Sequence, residues 1–263
     1  MNDHQQLKNS LSSTGIYIYP SLISPDWVGR LATAMDKSFL KRKDEWCNNS
    51  EKYSSDGVAL HIILDDDIFI NFVQYLIDLN FFRMLESCFF KSKSIIHSFS
   101  ALANLPESEN FSSAVHRDLR FYSGNFPLML NCLLMIDDFT EENGGTYVLP
   151  SSYRKASRPT DDYFFNNSKQ ITGKKGDMLI FNSNTWHASA VNRTIEPRRA
   201  IPMTISRSFM KQLLDYPRAL GYDRAKIFSD DLQQVLGYHS RVPESLSEWH
   251  QPESERLYRK FQD

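Results

Sequence analysis

The sequence has few cysteines, no long apolar run and no excess of either charge. Its three cysteines, Cys47, Cys88 and Cys132, are far apart, which predicts neither a disulfide framework nor a thiolate zinc site. We therefore expect a reducing, cytoplasmic setting. No segment approaches the ~18 apolar residues of a membrane helix, and residues 1–14 are polar, unlike a secretion signal. A formal net charge of -2 provides no general basic surface for nucleic acid, so neither a membrane nor a nucleic-acid partner is expected.

The length suits one domain with a full hydrophobic core. Apolar residues follow helical spacing over much of 1–92, short strands separated by turns run from about 93 to 208, and short helical pieces fill 209–263. The predicted strands are 15–19, 95–102, 129–137, 145–149, 170–172, 177–182, 186–192 and 200–207. Such strands indicate a mainly β fold of the jelly-roll type, with the preceding helices packed on one sheet. Residues 173–176 read as a hairpin-type turn.

The triplet His116-Arg117-Asp118 is the centre of the predicted site. Residues two apart on a β-strand point to the same face, so His116 and Asp118 would present an imidazole nitrogen and a carboxylate oxygen side by side. His187, in the strand-like segment 186–192, is the best candidate for a third ligand. Two histidines and one carboxylate, with the opposite positions open, form the facial triad of non-haem Fe(II) oxygenases.

Two further features point to a cosubstrate beside this metal. An arginine, Arg198 or its neighbour Arg199, opens the strand after His187, and a guanidinium there can bind a carboxylate through two hydrogen bonds. Alternation along 129–137 places Asn131 and Leu133 on one face, which we take as the inward face. Both side chains are therefore candidates to contact a bound cosubstrate.

Four sequence features together resemble the phytanoyl-CoA dioxygenase-like branch of the Fe(II)/2-oxoglutarate-dependent oxygenases. They are His116-Arg117-Asp118, the block DDFTEENGGTYVLPSSYR at 137–154, Trp186-His187, and Arg198 in an R-x-A-I context. Their order and spacing match the family over roughly residues 95–207. The resemblance implies a double-stranded β-helix over the chain as a single domain.

The resemblance also implies the roles of individual residues. Fe(II) would be held by His116, Asp118 and His187, and Arg198 would pair with the distal carboxylate of 2-oxoglutarate, which Ser189 would also contact. With O2, such a site hydroxylates an unactivated C–H bond of a small molecule and releases succinate and CO2. Related halogenases have a small residue in place of the aspartate. The presence of Asp118 therefore favours hydroxylation over halogenation.

The sequence departs from the family pattern at a few positions. Ser151 and Tyr153 stand where glycine and histidine are usual, which predicts local loop changes without loss of the metal site. Several basic residues fall near the expected mouth of the cavity: Arg117, Arg120, Arg154, Lys155 and Arg158. Two interpretations of them stay open, a site for an anionic substrate and a solvated rim.

Two other functions compete with the oxygenase interpretation. A cupin-like hydrolase or isomerase could use the same triad with zinc or manganese, and it would not need Arg198 or 2-oxoglutarate. A non-catalytic jelly-roll binding module could keep the triad by descent alone. Binding of iron and release of succinate distinguish the three functions.

Overall fold

The computed structural model describes residues 3–47, 57–107 and 113–262. The helices of this part are α1 (Asp3–Ser13), α2 (Pro25–Cys47), α3 (Asp67–Asp78), α4 (Phe81–Leu85), α5 (Asp161–Asn167), α6 (Tyr216–Leu220), α7 (Asp230–Leu236) and α8 (Leu246–Trp249). The strands are β1 (Ile16–Tyr19), β2 (Val58–Ala59), β3 (Ser94–Phe99), β4 (Ala101–Asn104), β5 (Met129–Met135), β6 (Tyr147–Val148), β7 (Lys169–Gln170), β8 (Met178–Asn182), β9 (His187–Ala188) and β10 (Arg198–Arg207).

Two antiparallel sheets face each other across a cavity. The major sheet has the order β1-β8-β5-β10-β4-β2, and β3 pairs with the other half of the long strand β10. The minor sheet has the order β7-β6-β9, and an isolated bridge from His116 to His187 extends it. This is the predicted jelly roll, and it is confirmed. Its two edge strands β1 and β2 come from the N-terminal, mainly helical part of the chain.

The two faces of the major sheet have different environments. The face made by Leu130, Cys132 and Leu134 of β5 packs with side chains of α1 to α4 in the largest apolar core. The opposite face, with Leu133 and Met135, turns toward the minor sheet. Strict alternation along β5 separates the two sets. The prediction that helices pack on one sheet is thereby confirmed.

Local sequence signals explain where the helices begin and end. The side chain of Asp66 accepts a hydrogen bond from the N–H of Ile68 at the start of α3. Ser229 caps α7 by accepting from Leu232, and Gly237 ends that helix at a φ of 92°. A left-handed residue is what a helix needs at this position, and glycine adopts it without a steric cost.

Several predicted features differ from the structure. Segment 95–102 is two strands, because Ser100 donates its N–H to the carbonyl of Pro202 between them and β10 is long enough to pair with both. Residues 173–176 form a turn, closed by Asp177 N–H to Lys174 carbonyl, that passes from the minor to the major sheet and joins no hairpin. The predicted strand 186–192 is only the two-residue β9. These features depend on pairing between distant segments, which local patterns do not specify.

Within the described residues, no single helix is long and apolar enough to cross a membrane. Two neighbouring helical segments, Asp67–Asp78 and Phe81–Phe90, reach that length and apolarity only as a pair, with a bend of 56° between them.

Candidate metal centre

Two histidines face each other at the edge of the minor sheet. The N–H of His116 donates to the carbonyl oxygen of His187 at 3.0 Å, and the N–H of His187 donates to the carbonyl of His116 at 2.9 Å. A pair that exchanges both backbone hydrogen bonds places its side chains next to each other. The two imidazole rings are therefore close, with centroids 4.2 Å apart.

The hydrogen bonds of the two rings determine which nitrogen is free. Nδ1 of His116 lies 2.8 Å from the carbonyl oxygen of Ala114, and Nδ1 of His187 lies 3.0 Å from that of Thr185. A carbonyl only accepts, so each Nδ1 carries a proton, and Nε2 is the nitrogen of each ring that remains to bind a metal. Burial lowers the pKa of His187, although the nearby Asp118 carboxylate opposes this shift, so the ring is neutral at pH 7. His187 therefore has the neutral form that a metal ligand requires.

Asp118 completes a group of three metal-ligand side chains. Its Oδ1 lies 3.6 Å from Nε2 of His116, and its Oδ2 lies 3.6 Å from Nε2 of His187. One ligand atom from each of the three residues lies within 4.8 Å of the others. The amide of Asn131 donates to Oδ2 of Asp118 at 2.5 Å. The donor set, two imidazoles and one carboxylate, fits a divalent metal such as Fe(II).

Arg198 is a buried cation in the same cavity. It is 5% exposed, one guanidinium nitrogen donates to the carbonyl of Gly144 at 3.0 Å, and its carbon lies 4.0 Å from the ring centroid of Phe139. Its Nε is buried without a hydrogen-bond partner, and no carboxylate of the described residues forms an ion pair with it. Burial lowers the pKa of Arg198 to about 10, so it remains charged at pH 7. A buried charge of this kind fits an anionic ligand.

The adjacent arginine has a different environment. Arg199 hydrogen-bonds both oxygens of Asp137 at 2.8 to 3.0 Å and reaches Asp36 of α2 at 3.1 Å. These carboxylates raise the pKa of Arg199. Because consecutive residues of a strand point to opposite faces, Arg199 joins β10 to α2 while Arg198 enters the cavity. The sequence left the two arginines as alternatives, and the structure gives them different partners. Arg198 lines the cavity, whereas Arg199 pairs with Asp137 and Asp36.

One cavity of about 210 Å³ contains the three metal-ligand side chains and Arg198. The other predicted cosubstrate contacts, Ser189, Asn131 and Leu133, also line it. The amide of Asn131 donates a hydrogen bond to Asp118. In this geometry Asn131 therefore orients the carboxylate of Asp118. The remaining described wall residues are Leu60, Ser98, Ser100, Leu102, Ala103, Asn104, Cys132, Thr146, Phe181, Pro202 and Thr204.

The basic residues of the predicted mouth do not line this cavity. Arg117 lies over the ring of Trp186, with its guanidinium carbon 5.1 Å from the ring centroid. Arg154 donates to the carbonyl of Ser12 at the end of α1. All five of these residues are absent from the described cavity wall: Arg117, Arg120, Arg154, Lys155 and Arg158. Among the described lining residues, the cavity therefore has no arginine or lysine besides Arg198.

The two departures from the family pattern contact helix α1. Ser151 has a left-handed φ of 61°, which explains why glycine is usual there. Its N–H donates to the carbonyl of Thr14 at 2.7 Å and its hydroxyl to Ser13 at 3.0 Å. The hydroxyl of Tyr153 donates to Ser12 at 2.7 Å. These bonds satisfy carbonyls at the C-terminus of α1, so the departures build a local contact outside the metal group.

Several wall residues were not identified from the sequence. Thr204 and Pro202 share the cavity face of β10 with Arg198, so alternation from Arg198 could have found them. Ser98 could not be found in this way, because an irregularity in β3 determines its direction. Thr146 lies within the block 137–154. The family pattern identifies this block but does not predict that the side chain of Thr146 lines the cavity.

A jelly roll with two histidines and a carboxylate in its cavity has the architecture of the mononuclear non-haem metal oxygenases. A sequence model described as phytanoyl-CoA dioxygenase (PhyH) matches residues 12–200, which is most of the chain. The protein belongs to the phytanoyl-CoA dioxygenase family. The resemblance stated from the sequence is confirmed.

Individual relatives match part of this chain. The chain is 36% identical over 152 residues to the uncharacterized protein Rv1501 of Mycobacterium tuberculosis, covering 58% of this chain and 56% of that protein. It is 26% identical over 140 residues to dioxygenase sphC of Aspergillus fumigatus, covering 50% and 38%. The match thus spans about half the length, or less, of these relatives.

A solved structure shares the fold. It is the epimerase SnoN in complex with Fe3+, alpha ketoglutarate and nogalamycin RO, with a TM-score of 0.57 and 17% identity over 78% of this chain and 83% of that one. At this identity the similarity supports the fold alone.

Proposed function

We propose that this protein is an Fe(II)/2-oxoglutarate-dependent dioxygenase that hydroxylates a C–H bond of a small molecule. The observation that carries the proposal is the pairing, in one cavity, of a His-Asp-His group with Arg198, a buried arginine that has no carboxylate partner among the described residues. Family membership and the iron and alpha-ketoglutarate complex of SnoN support the same conclusion.

Each residue has a defined task in this proposal. His116 and His187 offer Nε2, and their Nδ1–H bonds to Ala114 and Thr185 hold the rings in place. Asp118 offers a carboxylate oxygen, and its position is set by Asn131. Fe(II), 2-oxoglutarate and O2 together supply the oxidation of a C–H bond, with succinate and CO2 as products.

Arg198 selects the cosubstrate. Its buried guanidinium would bind the distal carboxylate of 2-oxoglutarate, a charge-assisted contact that is strong in a desolvated site. Ser189 and Leu133 line the same cavity as this arginine and the histidines and would contact the cosubstrate chain. The two sheets flank the cavity, and the cavity positions the target carbon.

Arg198 also distinguishes this proposal from a hydrolase or isomerase. A metal site for those reactions needs the triad alone, whereas a buried cation without an ion-pair partner is costly unless a ligand compensates it. Asp118 occupies the position that a halide would need, which supports hydroxylation over halogenation.

Equilibrium dialysis of labelled 2-oxoglutarate under anaerobic conditions tests the proposal. We expect retention of 2-oxoglutarate that depends on added Fe(II) and is lost in Asp118→Ala. The matched control is Asp223→Ala, which removes an exposed carboxylate that pairs with Lys226 and does not line the cavity. Tight binding of zinc without any retention of 2-oxoglutarate would support the hydrolase instead.

A further inference from the structure

The hydroxyl groups of Ser98 and Thr204 lie together on the cavity wall. The cavity also contains the three candidate metal ligands. In the register of the major sheet, Thr204 of β10 stands opposite Asn131 of β5 on one side and opposite Ser98 of β3 on the other. Asn131 holds Asp118. Neighbouring strands are about 4.8 Å apart, so this row leads from the metal-ligand carboxylate directly to Thr204 and Ser98.

An irregularity in β3 turns Ser98 toward the cavity. Regular alternation would place Ile96 and Ser98 on the same face. The register shifts between the pairs Thr204–Ser98 and Ile205–Ile96, which leaves His97 as an extra residue in β3. As a result Ile96 and Phe99 both pack in the helix-covered core, while Ser98 lines the cavity. Bulges of this kind re-aim a side chain and are common next to active sites.

The two hydroxyls keep hydrogen-bonding capacity for a ligand. Ser98 Oγ and Thr204 Oγ1 lie 2.6 Å apart, and neither side chain has another hydrogen bond within the described part of the protein. A hydroxyl donates one hydrogen bond and accepts up to two. The pair therefore retains one donor and several acceptor positions in a wall that Leu60, Leu102 and Pro202 make largely apolar. A few polar groups in an apolar pocket are typical of orienting contacts.

The charge of the cavity limits what can occupy it. Arg198 would be neutralised by the cosubstrate, and no further arginine or lysine belongs to the described wall. A carboxylate or ammonium group of a substrate would lose its water there without an opposite charge, which is unfavourable. The volume of about 210 Å³ is below the roughly 300 to 1,000 Å³ of common ligand pockets, so only a small portion of the substrate enters.

We propose that the Ser98–Thr204 hydroxyl pair binds an uncharged hydroxyl, ether or carbonyl group of the substrate and so determines which carbon faces the metal. The substrate would then be a molecule whose oxidised end is neutral and polar, with any charged group outside the cavity. This inference rests on the proposed function.

Three four-carbon probes test the proposal: butane-1,3-diol, butyrate and butylammonium. Each probe is titrated into the anaerobic complex of the protein with Fe(II) and 2-oxoglutarate. The change in the visible charge-transfer band of that complex is followed. We expect the neutral diol to perturb the band at the lowest concentration. Removing one hydroxyl, in Ser98→Ala or Thr204→Val, should raise the half-saturating diol concentration about 2- to 10-fold, the loss of one neutral hydrogen bond.

The control is Ser100→Ala, which removes a hydroxyl from the same cavity wall but outside the pair; it should leave diol binding unchanged. Equal weakening in Ser100→Ala, tighter binding of either charged probe, or no effect of any probe on the band overturns the proposal. The charge-transfer band itself reports on the proposed function. If the band never forms, that function fails; if it forms and the diol result is negative, only the present inference fails.

Discussion

The two faces of the major sheet use the same strands for different purposes. On β5, Leu130 and Leu134 are almost fully buried beneath the helices, whereas Asn131 and Leu133 between them line the cavity. On β10, Ile201 packs in the helix-covered core and Arg198 enters the cavity. The helix-covered face therefore supplies most of the apolar packing, and the cavity face carries the groups that need a ligand. Mutations on the two faces should affect different measurements.

Loss of the metal-ligand carboxylate should have the largest effect. Asp118→Ala removes one of three ligands, so affinity for Fe(II) should fall more than 100-fold, since changes in residues that merely support ligands already cost about 10- to 100-fold. Anaerobic Fe(II) titration measures this, and succinate formation should fall below detection. The unfolding temperature should stay close to that of the unmodified protein, because Asp118 lies on the cavity side. Turnover at the original rate would show that the triad assignment is wrong.

A matched pair of leucines on β5 separates packing from binding. Leu130→Ala leaves a cavity in the helix-covered core and should lower the free energy of unfolding by about 2 to 5 kcal/mol. Leu133→Ala, on the cavity face, should lower it by less and should instead weaken 2-oxoglutarate binding. Urea unfolding and cosubstrate titration measure the two effects. Equal destabilisation by both variants, with cosubstrate binding unchanged, would remove the distinction between the faces.

The two adjacent arginines give a second matched pair. Arg198→Ala should weaken binding of 2-oxoglutarate by roughly 10- to 100-fold, because a hydrogen bond to a charged group contributes about 1.5 to 3 kcal/mol. Arg199→Ala breaks the contacts with Asp137 and Asp36, so it should alter thermal stability with little change in cosubstrate affinity. The opposite pattern would show that Arg199, and not Arg198, binds the carboxylate of the cosubstrate.

The smallest expected effect concerns the residue that orients Asp118. Asn131→Ala removes the hydrogen bond to Oδ2 and should lower Fe(II) affinity by about 10-fold, at the lower end for a residue that supports a ligand. Asn131→Asp is the stricter variant, since it places a second carboxylate beside Asp118. If Asn131→Ala binds Fe(II) unchanged but loses 2-oxoglutarate, then Asn131 contacts the cosubstrate, as the sequence alone suggested.

Much of the fold and the metal group could be predicted from the sequence. The helical and strand periods of the chain, together with the caps at Ser229 and Gly237, depend on neighbouring residues. The inward face of β5 follows from alternation within one strand. The pairing of His116 with Asp118 was also predicted from strand alternation, but the structure has only an isolated bridge at His116 and no strand across the triplet. The family resemblance supported the choice of His187 and Arg198, because the two residues occur in the order that the family pattern requires.

Other features depend on contacts between distant segments. The break at Ser100 exists because β10 pairs with two strands in succession, and nothing near Ser100 indicates this. The extra residue His97 reverses the direction of Ser98, which no local pattern reveals. Similarly, the partner of Asn131 was set by the approach of Asp118 from the minor-sheet side. Local periodicity predicts faces, whereas register and irregularities arise from pairing.

The most direct test of the account is an anaerobic titration of the protein with Fe(II) and 2-oxoglutarate, followed by visible absorption. Chelation of Fe(II) by 2-oxoglutarate gives a weak charge-transfer band in the visible. We expect this band to appear, to be lost in His187→Ala, and to require more 2-oxoglutarate in Arg198→Ala than in Arg199→Ala. Absence of the band in the unmodified protein, with tight binding of another divalent metal, would contradict it.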